Sequence, residues 1–218
     1  MFQPPAPRCC RLWLLGFVIW LSGAISSVLG QPAAELAPNV VVNPAGATYD
    51  SHPSVLVQAD GTTWVSWHAY RESRDQILLR RVAADGMLGP IQTVSQQGVA
   101  HSPPQLVQLN QNQLWVIWSA HLAGRWSIQA REFEAGKGKP VITLSSPGQD
   151  AIYPAAVKVN EQELMVAWSG FQKGQFRIYG RLRKGKEWQD ANLLSPGTAD
   201  AFRPHLCATE SGNVWVFW

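Results

Sequence analysis

The hydrophobic pattern of this chain centres on a four-residue apolar core that recurs four times. The copies are Trp64-Val65-Ser66-Trp67, Trp115-Val116-Ile117-Trp118, Met165-Val166-Ala167-Trp168 and Trp215-Val216-Phe217-Trp218. Their terminal tryptophans stand 51, 50 and 50 residues apart, and each follows a proline by 14 residues: Pro53, Pro104, Pro154 and Pro204. Two further columns keep the register. Ile77, Ile128 and Ile178 are each followed three residues later by Arg80, Arg131 and Arg181, and Ser95, Ser145 and Ser195 close three of the units. Within a unit, short runs rich in Val, Ile, Leu and Trp alternate with turn signals such as Asp60-Gly61 and Asp85-Gly86, which is a strand pattern. Asn110-Gln111-Asn112 and Asn160-Glu161-Gln162 take the first turn of the next two units. The core is apolar at adjacent positions, and neighbouring strand residues point to opposite faces, so both faces of this strand must be covered.

A period near 50 built from four short strands predicts propeller blades rather than helical repeats. The expected fold is all-β: a β-propeller of four-stranded blades, present as an incomplete arc. Three blades span 53–95, 104–145 and 154–195, with a half blade at 204–218. The segment Asn39 to Asn43 (NVVVN) is read as an orphan strand. By register it is a fourth strand, the kind that closes a ring from the N-terminus. The Trp column is assigned to packing between blades, where a large ring buries the most apolar area. An open arc exposes apolar blade faces, which soluble monomers avoid, so the repeat predicts a parent chain that continues past Trp218.

Ahead of the repeats, Arg8 and Arg11 precede an uncharged, mostly apolar run from Leu12 to Gly30 that ends in small residues. This predicts an export signal over 1–30, cleaved after Gly30, followed by a Pro/Ala-rich linker over 31–38. The alternative is an uncleaved anchor, because no charge appears until Glu35. Either way the protein is exported, periplasmic or extracellular, and any membrane contact runs through this N-terminal segment. Cys9 and Cys10 fall within the signal, which leaves Cys207 and no internal disulfide. A formal net charge of +3 is too small to imply a nucleic-acid partner.

Strand polarity places the loop before each repeat proline and the segment after each terminal Trp at one end of the blades. All five histidines fall there: His52, His68, His101, His121 and His205. Asp50, Asp150, Asp200, Tyr49, Tyr153, Arg71 and Arg203 join them, while the opposite end reads as bland turns. This loop face is the candidate site, since function concentrates on loops held by a rigid scaffold. The binding candidates are His52, His68, His101, His121, Asp150, Asp200 and His205. As catalytic groups, Asp50 could act as acid or base, Tyr153 as nucleophile and Arg203 as anion clamp. His52, His101 and His205 with Asp50 or Asp200 have the residue types of a metal cluster, but Asp at these positions more simply caps a turn. No metal site and no cofactor are predicted: the chain has no Gly-x-Gly-x-x-Gly, P-loop, HExxH, Gly-x-Ser-x-Gly or CxxC motif. The Arg column repeats in type and is read as inter-strand pairing or snorkelled edge residues. The basic tips Gly136-Lys137-Gly138-Lys139 and Lys184-Gly185-Lys186 are read as solvated turns.

The unit of Pro, strand, turn, W-V-x-W, I-x-x-R and closing Ser resembles exported bacterial propeller repeats of the sialidase-like and Tol-system kind, over Asn39 to Trp218. The string Asp60-Gly61-Thr62-Thr63-Trp64 differs in spacing and position from a sialidase Asp-box, and Phe202-Arg203-Pro204 partly matches the sialidase Arg-Ile-Pro. The resemblance implies three readings. One is a binding or scaffold module for a protein or carbohydrate ligand at the N-terminus of a longer protein. The others are a sialidase-like glycoside hydrolase with its site on the same face, and a propeller fused upstream of a metallohydrolase.

Overall fold

The computed structural model describes residues 39–43, 49–71, 73–96 and 99–218. The predicted signal and linker, 1–38, lie outside the described residues. No helix among the described residues is long and apolar enough to cross a membrane. The described residues form four antiparallel sheets, one per repeat unit in sequence order. The first blade holds β1 (Tyr49–Val57), β2 (Thr63–Arg71), β3 (Arg74–Val82) and β4 (Leu88–Thr93). The second holds β5 (Gln105–Asn110), β6 (Gln113–Leu122), β7 (Arg125–Glu134) and the short β8 (Lys137–Gly138) and β9 (Ile142–Thr143). The third holds β10 (Asp150–Asn160), β11 (Glu163–Gln172), β12 (Gln175–Lys184), β13 (Glu187–Trp188) and β14 (Asn192–Leu193). In the fourth, β15 (His205–Ala208) pairs with β16 (Val214–Phe217). The first strands of successive blades lie against one another, β1 by β5, β5 by β10 and β10 by β15. This is the arrangement of the inner wall of a propeller arc.

The turns follow from residue type. Asp60 Oδ1, Asn110 Oδ1 and Asn160 Oδ1 accept from the backbone N–H two residues on, at 2.9, 3.0 and 2.9 Å. These are side-chain-closed turns of the kind Asp and Asn favour. The segments after the terminal tryptophans, assigned above to the loop face, are not open loops. The structure instead runs β6 straight into β7 through Ala123 (φ 50°) and Gly124 (φ 78°), and β11 into β12 through Lys173 (φ 53°) and Gly174 (φ 80°). Two consecutive positive φ values make the tight hairpin whose twist matches the strands. His68, Arg71 and His121 therefore stand on strands rather than on loops.

Each second strand serves two interfaces. Trp64 and Trp118 share one core, between the first and second blades, with Leu79, Val94, Val116 and Phe133. Trp115 and Trp168 share the next, with Leu109, Ile128, Leu144 and Leu164. The first residue of the repeat core thus reaches the following blade and the last reaches the preceding one. The expected packing role of the Trp column is what the structure shows. Trp215 occupies the place of Trp64 and Trp115 but is 59% exposed, stacked on Phe217.

The Ser and Arg columns have defined work. Ser95, Ser145 and Ser195 are buried, and their Oγ atoms accept from the N–H of Ile77, Ile128 and Ile178 at 2.8, 3.0 and 3.1 Å. Each serine closes its blade onto the third strand. Ser145→Ala leaves a buried N–H unpaired and is expected to cost about 1–3 kcal/mol, measurable by urea unfolding. The arginines join blades. Nε of Arg80, Arg131 and Arg181 donates within the blade to the carbonyls of Gly89, Lys139 and Gln189. Nη1 donates across to Val42 (2.6 Å), to Thr93 and Val94 (3.0 and 3.1 Å) and to Leu144 (3.3 Å). The fourth strand of the second and third blades is split in two around the Nε bond, whereas β4 of the first blade runs unbroken past Gly89.

Residues 39–43, expected as an orphan strand, have no strand pairing among the described residues. Their position still matches the register. Val42 takes the Arg80 contact that Val94 and Leu144 take from the next two arginines, and it packs with Trp67, Ala69 and Leu78.

Candidate functional site

The loop face is built on a strained column. The residue before the repeat proline has positive φ in three blades: His52 (49°), Tyr153 (55°) and Arg203 (54°). The second blade has Pro103 there. A residue before proline is normally driven to extended conformations, and a side chain in the left-handed region costs of order 1 kcal/mol or more. The register shifts in the β1–β2 and β10–β11 pairs fall at this point, between Ser51 and Ser54 and between Ile152 and Ala155. A bulge at the mouth of the inner strand re-aims a side chain. Here it does so for His52 and Tyr153, while Arg203 takes the same left-handed backbone just before β15.

Two of the three meet. The Arg203 guanidinium lies 4.7 Å from the Tyr153 ring centroid and 5.7 Å from Phe202. Phe202 stands edge-on to Tyr153 at 5.0 Å and to Phe176 at 4.8 Å, and Phe176 continues to Phe171 at 4.9 Å. Phe171 and Phe202 are 38% and 37% exposed. The third and fourth blades therefore share an aromatic ledge with a cation at one end. Sequence reasoning found Tyr153 and Arg203 but missed Phe171 and Phe176. They lie on either side of the Lys173-Gly174 turn, and that they belonged to the hairpin was not read.

The aspartates anchor the loops. Asp150 and Asp200 accept the N–H of Trp126 and Phe176 at 2.8 and 2.9 Å, capping the start of the third strand in the blade before. Asp50, at the same register, accepts Trp67 Nε1 at 2.9 Å, Asn43 Nδ2 at 2.9 Å and Arg71 Nη2 at 3.0 Å. Burial pushes its pKa upward, but the Asn43, Arg71 and Trp67 hydrogen bonds and the Arg71 charge outweigh it, and the net shift is below the ordinary 3.8. A carboxyl with a depressed folded pKa stabilises the fold above its unfolded pKa, and that contribution is lost as pH falls through the folded value. Asp50→Asn is expected to cost about 1–2 kcal/mol at pH 7. Its deficit against wild type should shrink as pH falls below about 4, read from urea midpoints across pH.

The histidines do not converge. His52 is exposed and its Nδ1 meets Ser51 Oγ at 2.8 Å. His205 is exposed at the start of β15, and His121 packs beside Trp126 at 5.3 Å. His68 Nε2 is 3.2 Å from Asp75. His101 is 7% exposed and lies between the first and second blades. Among the described residues no group of three His, Cys, Asp or Glu side chains could hold a metal ion. Burial lowers the His101 pKa, partly offset by the Gln96 carbonyl and Asp75, so the ring is neutral near pH 7. Its Nε2 faces Gln96 O at 2.9 Å and must carry the proton. Among the described residues His101 Nδ1 and Trp118 Nε1 have no hydrogen-bond partner, beside a 240 Å³ cavity. In the first and third blades the matching indole N–H is satisfied, Trp67 by Asp50 and Trp168 by Gln149.

No family model and no curated protein matches the chain. Solved structures do. The GH93 α-L-arabinofuranosidase of Fusarium graminearum, in complex with arabinobiose, matches with a TM-score of 0.53 at 15% identity, over 72% of this chain and 53% of that one. A Hadza microbial sialidase matches with a TM-score of 0.55 at 9% identity, over 73% and 40%. A protein of unknown function from Dyadobacter fermentans matches with a TM-score of 0.51 at 19% identity, over 66% and 40%. The chain spans about half, or less, of the length of these structures. The fold is a β-propeller arc of the sialidase-like kind.

Proposed function

We propose that this chain is a carbohydrate-binding propeller domain of an exported protein, with its ligand on the ledge formed by Tyr153, Phe202 and Arg203. The ledge carries the reading. A sugar ring has an apolar C–H face that suits exposed aromatic rings and a hydroxyl edge that suits a guanidinium. Holding Tyr153 and Arg203 in left-handed backbone costs stability, and such strain concentrates at ligand clamps. The GH93 enzyme, similar in fold, is a complex with arabinobiose, which makes that disaccharide the first probe. The exposed Trp215 and Phe217 face supports a further blade beyond the fourth, supplied by a longer parent protein, because the matching Trp64 and Trp115 are buried by the next blade.

Binding without hydrolysis is favoured by the carboxylates. Asp150 and Asp200 are committed to backbone caps. Asp50 is shifted downward, opposite to what a glycosidic general acid needs. The hydrolase reading keeps the partial Arg-Ile-Pro match at Arg203 in its favour. Titration calorimetry of the full chain with arabinobiose, cellotriose and sialyllactose separates the two. One of these sugars is expected to bind, Arg203→Ala is expected to weaken it at least tenfold, and no reducing sugar should be released on incubation. Turnover would establish the hydrolase, and absence of binding to all three would remove the ledge as a sugar site.

A further inference from the structure

We infer a second ligand site, for an acidic sugar, in the cleft between the second and third blades at the end opposite the loop face. The cleft has a volume of 480 Å³ and is walled by Trp115, Trp188 and Arg183, with Glu132, Lys139 and Lys186 at its edge. Its size suits one or two sugar rings.

Arg183 departs from the repeat. Val82 in the first blade pairs with Leu88, and Phe133 in the second pairs with Gly138. In the third, Arg183 pairs with Trp188. The position faces the preceding blade. Phe133 fills it with core packing, whereas Arg183 brings a charge into the same place at 4% exposure. Among the described residues it has no ion pair or hydrogen bond. Its contact is the Trp115 ring, 5.2 Å from the guanidinium. A cation–π contact returns only part of what withdrawing a charge from water costs. An anion in the cleft would resolve the mismatch.

Trp115 points to the same missing partner. Its indole N–H is buried and, among the described residues, unpaired. In the first blade Trp64 donates to Gln58 Oε1 at 3.3 Å, but the residue matching Gln58 is Leu109, which is 1% exposed and apolar. The carboxylates nearby do not supply the acceptor. Glu132 takes Lys139 at 2.9 Å and Gln113 at 3.0 Å, and Glu134 takes Lys139 at 2.9 Å. The cleft thus holds, among the described residues, a buried unpaired indole N–H and, beside it, the guanidinium of a residue only 4% exposed, next to aromatic walls. Trp188 stands edge-on to Trp115 at 5.5 Å and is only partly buried. A ring lying on Trp188 with a carboxylate turned to Arg183 satisfies all three groups. A guanidinium binds a carboxylate through two parallel N–H bonds. Together these features specify a uronic acid unit.

The test is tryptophan fluorescence and calorimetry of the full chain at fixed ionic strength, with digalacturonate, its neutral counterpart galactobiose, and acetate. Digalacturonate is expected to quench fluorescence and bind at least tenfold more tightly than either control. Arg183→Leu restores the apolar side chain of the other blades. It is expected to lose that binding at least tenfold while the thermal midpoint holds or rises. Trp188→Leu, a second variant that keeps the packing, should weaken binding severalfold. Arg183→Leu should leave arabinobiose, cellotriose and sialyllactose binding at the loop-face ledge unchanged, so failure of the loop-face ledge and failure of this cleft give different results. Equal affinity for galactobiose, equal affinity for acetate, or full binding by Arg183→Leu would each overturn the site, as would no binding of digalacturonate.

Discussion

Replacing Trp168 by Ala is expected to lower unfolding stability by about 3–5 kcal/mol. The ring is fully buried between the second and third blades, among Leu109, Ile117, Ile128 and Leu144. Its indole N–H also donates to Gln149 at 3.0 Å, so the change opens a cavity and strands a buried acceptor. Domains of this kind are stable by only about 5–15 kcal/mol in total. The variant should therefore unfold at far lower urea, and a sizeable fraction should be unfolded in water. A loss below about 1 kcal/mol would mean that the Trp column does not hold the blades together.

The second large effect concerns Arg131. Its guanidinium bonds Lys139 O within the blade and Thr93 and Val94 O in the blade before. Charge-assisted bonds of this type contribute about 1.5–3 kcal/mol each when buried. With the side chain partly exposed, Arg131→Leu is expected to cost about 2–3 kcal/mol in all. Arg131→Lys should recover little, because an ammonium lacks the rigid fork that reaches both blades. Stability in repeat folds is nearly a sum of unit and nearest-neighbour terms. Loss of this link should uncouple the first blade, so hydrogen exchange should speed up in β1 to β4 more than in β10 to β12. Uniform acceleration across all blades would contradict an inter-blade role.

Most of the architecture was written in the repeat because each column does one job in every blade. Pro stands at the start of the inner strand, with a bulge there in the first and third blades, Trp fills the gap between blades, Ser caps the Ile N–H and Arg ties neighbours. The Arg column was read only as pairing or snorkelling, since the partner carbonyls lie 37 or 38 residues back. That separation has no local signature. The candidate site was legible only in outline. Strand polarity put Tyr153 and Arg203 at one end, but the left-handed backbone that turns them out runs against the usual preference before proline. Phe171 and Phe176 meet Phe202 only through the hairpin and the next blade. Arg183 was invisible because Arg-Leu-Arg-Lys in β12 reads as an ordinary basic strand end. Its oddness appears only when Phe133 is seen in the same place.

Chemical-shift mapping of the isotopically labelled chain, titrated with the best-bound of arabinobiose, cellotriose and sialyllactose, tests the loop-face assignment most directly. The expected perturbations fall on Tyr153, Phe171, Phe176, Phe202 and Arg203 and their backbone neighbours. Perturbations confined to the opposite turns, around Asp60, Asn112 and Glu161, would contradict it.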